Sequence, residues 1–138
     1  MALTTADSTL PWLQPQPAVV SFDPGPGLSA EQLQAVVQRL AACGDLQAVV
    51  LFGSRARGEA KADSDLDLAL ITEAPELSPQ QRLVCWKRYR AAVGALPCGV
   101  DLVIQGSAAA ARLAQSRWHV MGDVRREGRV LYAIHAQS

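Results

Sequence analysis

The 138-residue chain has no apolar run approaching the roughly 20 residues that a membrane-spanning helix requires, so it does not read as an integral membrane protein. It has no excess of either charge: 13 Lys and Arg balance 13 Asp and Glu. A protein held on nucleic acid or an anionic surface by counterion release needs a basic field, so direct nucleic-acid binding is not expected. The three cysteines, Cys43, Cys85 and Cys98, are odd in number and lack any C-x-x-C spacing, which speaks against a disulfide framework and a thiolate zinc site. Only two histidines occur, His119 and His135, too few for a His-ligated zinc centre. The opening residues, MALTTADSTLPWLQPQP, combine no basic start with a continuous apolar stretch. They do not read as a secretory signal, and a cytoplasmic location is the expectation.

What is present begins with proline. Five of the eight prolines, Pro11, Pro15, Pro17, Pro24 and Pro26, fall before residue 28. A segment so punctuated cannot propagate a helix, and residues 1–27 are predicted to be an extended, partly mobile arm, with Ala18 to Phe22 a candidate edge strand. Residues 28–138 form the predicted domain, a length that suits a single core.

Ser29 with Gln32 makes a capping box, after which Leu33, Val36, Val37 and Leu40 recur at helical spacing. Leu46 to Phe52 is a nearly all-apolar run that ends at Gly53, as a strand covered on both faces should. Residues 65–72, DLDLALIT, start with alternating carboxylate and leucine, which puts Leu66, Leu68 and Leu70 on one face and Asp65 and Asp67 on the other. Ser78, Pro79 and Gln81 predict a helix from about Pro79 to Ala95, with Leu83, Trp86 and Val93 as core candidates. Residues 100–104, VDLVI, read as a third strand. A last helix is predicted between Ala108 and Glu127, with Arg125, Arg126 and Gly128 as its stop signals, followed by a strand from Arg129 to Ile134.

The chemistry concentrates in Gly53-Ser54-Arg55-Ala56-Arg57-Gly58, Asp65-Leu66-Asp67 and Asp101. A glycine admits an anion close to backbone, and the amides that follow it can point at phosphate, so Gly53 and Ser54 are candidates for a phosphate turn. Arg55 and Arg57 carry guanidinium groups suited to bidentate contact with phosphate oxygens. Aspartates at i and i+2 of a strand share a face roughly 6.5–7 Å apart, so Asp65 and Asp67 can ligate a common pair of magnesium ions. Asp101 would add a third carboxylate if its strand neighbours theirs, and three such groups repel one another without a cation. Asp63 and Ser64 read as turn residues that initiate the strand, and Lys61 as exposed loop. Trp12 and Trp118 suit either a partner surface or packing.

Gly53 to Asp67 follow the pattern G-S-x10-D-x-D. With Asp101 as the third acid, the stretch from about residue 29 to residue 134 resembles the polymerase-beta type of nucleotidyltransferase, and specifically the minimal MNT antitoxins that accompany HEPN-domain toxins. The resemblance implies an α/β fold in which a small mixed sheet is flanked by helices. It further implies catalysis and binding of two Mg2+ ions at Asp65, Asp67 and Asp101, and ATP held at Gly53, Ser54, Arg55 and Arg57. The activity it implies is transfer of AMP to a hydroxyl, a tyrosine, of a HEPN toxin. The 138 residues leave no room for the second domain with which larger relatives hold an antibiotic or RNA acceptor, so an aminoglycoside- or tRNA-modifying enzyme is not expected. Two alternatives stay open: a protein that masks its partner by binding alone, and a small-molecule nucleotidyltransferase. The spacings Arg112 to His119 and Arg129 to His135 also match the loose Arg-x4–6-His pattern of HEPN ribonucleases. Two matches in one short tail show how permissive that pattern is.

Overall fold

The computed structural model describes residues 10–134. Its elements are a 3-10 turn, Pro11–Leu13, then α1 (Ala30–Ala41), β1 (Leu46–Phe52), α2 (Ser54–Arg57), β2 (Leu66–Thr72), α3 (Pro79–Val93), β3 (Val100–Gly106), α4 (Ser107–Leu113), α5 (Val120–Glu127) and β4 (Arg129–Ala133). The strands make one mixed sheet in the order β3-β2-β1-β4, with β1 antiparallel to both β2 and β4 and β2 parallel to β3. Helices cover both faces, as predicted.

Strand parity divides the core in two. Leu66, Leu68 and Leu70 of β2 join Leu102 and Ile104 of β3 on one face, under Leu33, Val36, Val37 and Leu40 of α1 and Tyr89 and Val93 of α3. Ala48, Val50 and Phe52 of β1 and Ala69 and Ile71 of β2 point the opposite way, onto Ala110, Met121, Val124 and Trp12. By the same alternation Asp67 belongs to this second face, at the strand end that its apolar neighbours leave uncovered.

The two capping boxes form as read: the Ser29 and Ser78 hydroxyls accept from the Gln32 and Gln81 N–H groups, and each glutamine side chain accepts in return from its serine N–H. The buried stripe of α3 differs from the prediction. Tyr89 and Val93 are fully buried, whereas Leu83 and Trp86 are 55% and 43% exposed, because the helix turns the register Cys85, Tyr89, Val93 inward. The single helix predicted between Ala108 and Glu127 is two. His119 starts the second, its Nδ1 accepting from the Met121 N–H at 3.0 Å, and Gly122 lacks the Cβ that would collide with the Ser116 carbonyl. His119 is thus a cap. His135 and residues 1–9 lie outside the described residues.

The predicted arm is the largest correction. Leu10, Trp12 and Val20 are buried, and Gln16 exchanges backbone hydrogen bonds of 2.9 and 3.0 Å with Ala133 on β4. Residues 18–22 form no strand. Residues 10–27 are irregular because of their prolines, yet they supply core to both faces of the sheet. Cys43, Cys85 and Cys98 are free thiols at half-buried positions.

Candidate functional site

The site gathers where β1 ends and β2 and β3 begin. Asp67 stands opposite Asp101 in the parallel ladder and opposite Phe52 in the antiparallel one, so its carboxylate is flanked by Asp101 on one side and by the Gly53 turn on the other. Asp65 precedes it by two residues, on the same side of the chain. Asp65 and Asp101 are exposed, and Asp67 is half-buried. Burial first, then the charges of Asp101 and Asp65, push the Asp67 carboxyl up from 3.8 to about 6, against the smaller opposing effects of Arg57 and Arg55. Asp67 therefore feels both neighbouring carboxylates.

Two glycines make that crowding possible. Gly53 has φ +77°, a conformation L side chains rarely adopt, and a Cβ there would collide with the Asp67 carboxylate. A Cβ at Gly99 would collide with the Asp65 carboxylate. Phosphate approach is the expectation for Gly53; what the structure shows is that the position must leave room for Asp67.

The two arginines after the turn have different surroundings. Arg57 lies at the surface, donating from Nε to Glu59 and from Nη1 to Glu127, both at 2.9 Å. These two carboxylates hold its pKa above the ordinary value. Arg55 is buried at 1% exposure. Its guanidinium donates to the carbonyls of Pro24 (2.9 Å), Pro26 (3.0 Å) and Ser64 (2.8 Å). Its Nε has no partner among the described residues. Arg55 is therefore committed to backbone, in place of the phosphate contact expected of it: it ties the proline segment to the loop that leads into Asp65. A buried cation without a carboxylate needs such carbonyls to offset its lost hydration. Ser64 closes the same loop, its hydroxyl accepting from the Lys61 N–H at 2.8 Å.

Sequence reasoning missed Glu127. Its Oε2 accepts from the Gly53 N–H at 3.2 Å as well as from Arg57. No local pattern could reveal it, because 74 residues separate it from Gly53.

The donors at the site are all carboxylate oxygens, the ligand type of magnesium, and their mutual repulsion is what a divalent cation relieves. Among the described residues no three His, Cys, Asp or Glu side chains are gathered into a ready-made metal cage. Magnesium is commonly held by one or two carboxylates completed by substrate phosphates and water, so an open acidic cluster beside the Gly53 turn fits that ion.

Known proteins similar to this chain share its fold. No curated protein matches the chain significantly. A mutant of the toxin–antitoxin complex MntA-HpeT contains a chain 25% identical to this one, with a TM-score of 0.50 over 71% of this chain and 69% of that one. A candidate nucleotidyltransferase of Sulfolobus solfataricus, 19% identical, shares the fold with a TM-score of 0.51 over 75% of this chain and 78% of that one. The sequence model of the family described as "Polymerase beta, Nucleotidyltransferase" matches residues 31–134, which contain the Gly53 turn and all three aspartates. On that match, and on a mixed sheet that brings the motif's parts to one end, the chain belongs to the polymerase beta nucleotidyltransferase family.

Proposed function

We propose that this protein is a metal-dependent nucleotidyltransferase that acts in the cytoplasm as an antitoxin, transferring AMP from ATP to a tyrosine hydroxyl of a partner HEPN toxin. The observation that carries the reading is the register of Asp67 with Asp101 beside the Gly53 turn. A fold needing only stability gains nothing from placing carboxylates on adjacent strands where they oppose each other's ionisation. The toxin–antitoxin neighbour supports a protein partner.

In this reading the Gly53 N–H, the Ser54 hydroxyl and the Arg57 guanidinium bind phosphate oxygens of ATP. Asp65, Asp67 and Asp101 would hold two magnesium ions, which when bound supply neutralisation of the negative charge that builds on the phosphates. Asp101, exposed at the head of β3, is the group that orients the acceptor hydroxyl and takes its proton. The acceptor oxygen then bonds to the α-phosphorus, the bond from that phosphorus to the bridging oxygen breaks, and pyrophosphate leaves with the electron pair. Arg55 acts from behind, by holding the loop that carries Asp65.

The test is intact-mass analysis of a copurified partner after incubation with ATP and magnesium. A mass increase of one or more adenylyl groups, mapped to a tyrosine and absent with Asp65→Asn/Asp67→Asn, is the predicted result. A partner neutralised at unchanged mass contradicts transfer and favours masking by binding.

A further inference from the structure

Glu127 is the last residue of α5, and a carboxylate at a helix C-terminus is repelled by the carbonyl end of the helix. It is nevertheless held in place, 28% exposed, by the Gly53 N–H and Arg57 Nη1, both of which meet the same oxygen, Oε2. The backbone fixes where it stands. Gly128, directly after it, is pressed so close to Val124 and Val50 that it has no room for a Cβ, which locks the end of α5 onto β1 beside the Gly53 turn.

The geometry points to Glu127 as a resident anion of the phosphate turn: it accepts from the Gly53 N–H and the Arg57 guanidinium, and phosphate oxygens must displace it to bind. This inference rests on the reading of Gly53 and Arg57 as phosphate ligands. A carboxylate oxygen and a phosphate oxygen are both charged acceptors and compete for the same two donors. Glu127 also carries a negative charge at the turn itself, so its withdrawal favours an entering triphosphate twice, by freeing two donors and by removing its own repulsion of the phosphates. While no nucleotide is present, it keeps Arg57 neutralised and positioned at the turn.

Glu127→Gln tests this. The amide oxygen can accept from the same two donors, with the charge gone and the hydrogen bonds about half as strong. Calorimetric titration with a non-hydrolysable ATP analogue and magnesium should give binding about tenfold tighter than wild type, roughly 1.4 kcal/mol. Inorganic tripolyphosphate should show the same gain and adenosine none, which places the effect at the phosphates. The gain should shrink when Arg57→Ala is present in both partners of the comparison, because one of the two contested donors is then missing and only the Gly53 N–H remains. Glu127→Asp guards against a folding artefact: it keeps the charge and withdraws the carboxylate by one methylene, and it should also tighten binding. Equal or weaker analogue binding by folded Glu127→Gln and Glu127→Asp overturns the proposal and makes Glu127 a mere support for Arg57. Absence of analogue and tripolyphosphate binding in wild type and variants alike overturns the phosphate-turn reading itself, and this inference with it.

Discussion

At the residue scale, Asp67 carries a measurable signature of its neighbours. Its carboxyl is held up to about 6 in the fold, against 3.8 for the unperturbed group, first by burial and then by Asp101 and Asp65. Between those two values the native protein binds more protons than the unfolded chain, so stability falls as pH rises through that window. Asp67→Asn removes the ionisation, and it should be more stable than wild type at about pH 8, by on the order of 1 kcal/mol after discounting for solvent screening of a half-exposed group. The advantage should disappear below about pH 4, where Asp67 is protonated in both states. Magnesium should stabilise wild type at about pH 8 and progressively less as pH falls below about 6, since the ligating form is the carboxylate. Urea denaturation with and without magnesium across that range checks all three statements.

Arg55 and Asp67 also show what could be read from sequence. Two aspartates at the start of an otherwise apolar run are conspicuous, and their i, i+2 spacing places them on one side without further information. Arg55 carried no such cue: whether a guanidinium after a glycine turn faces solvent, phosphate or core depends on what packs over it, here the carbonyls of Pro24 and Pro26. Arg55→Ala should leave three carbonyls unpaired and destabilise the fold by about 2–5 kcal/mol, measured by urea unfolding. A loss confined to nucleotide binding, with stability unchanged, would return Arg55 to the phosphate site.

At the scale of elements, the starts of α1 and α3 were legible because capping boxes are local, β1 because burial on both faces shows as a continuous apolar run, and β2 because carboxylate and leucine alternate at its start. The N-terminal segment was not. Its apolar residues, Leu10, Trp12 and Val20, have neither helical nor strand period, because proline-rich irregular backbone presents side chains without one. Trp12 is 1% exposed among Ala48, Val50, Ala110 and Met121, so Trp12→Ala should cost about 3–5 kcal/mol and deletion of residues 1–27 should lower the melting temperature by many degrees. Calorimetric melting decides it, an unchanged transition being the result that restores a dispensable arm. The phase of α3 was misread for a related reason: Leu83, Val84 and Trp86 are apolar but exposed, so composition alone could not say which stripe turns inward.

At the scale of the whole molecule, the strand order makes the site. Leu66 to Thr72 pairs with β1 on one side and β3 on the other, and only this placement of β2 in the interior of the sheet sets Asp67 between Asp101 and the Gly53 turn. The sequence motifs announced the three parts, but their assembly at one end of the sheet depends on long-range pairing, as does the reach of Glu127 from α5. The central claim is that this end of the sheet is a phosphoryl-transfer site whose carboxylates divide the work. It is tested most directly by single-turnover transfer of AMP from α-labelled ATP to the copurified partner, comparing wild type with Asp101→Asn under saturating magnesium and nucleotide. The account predicts that Asp101→Asn still binds magnesium-ATP within about tenfold of wild type and transfers label about 10²–10⁴ times more slowly, the range typical for loss of a general base. Transfer at the wild-type rate by Asp101→Asn would contradict it.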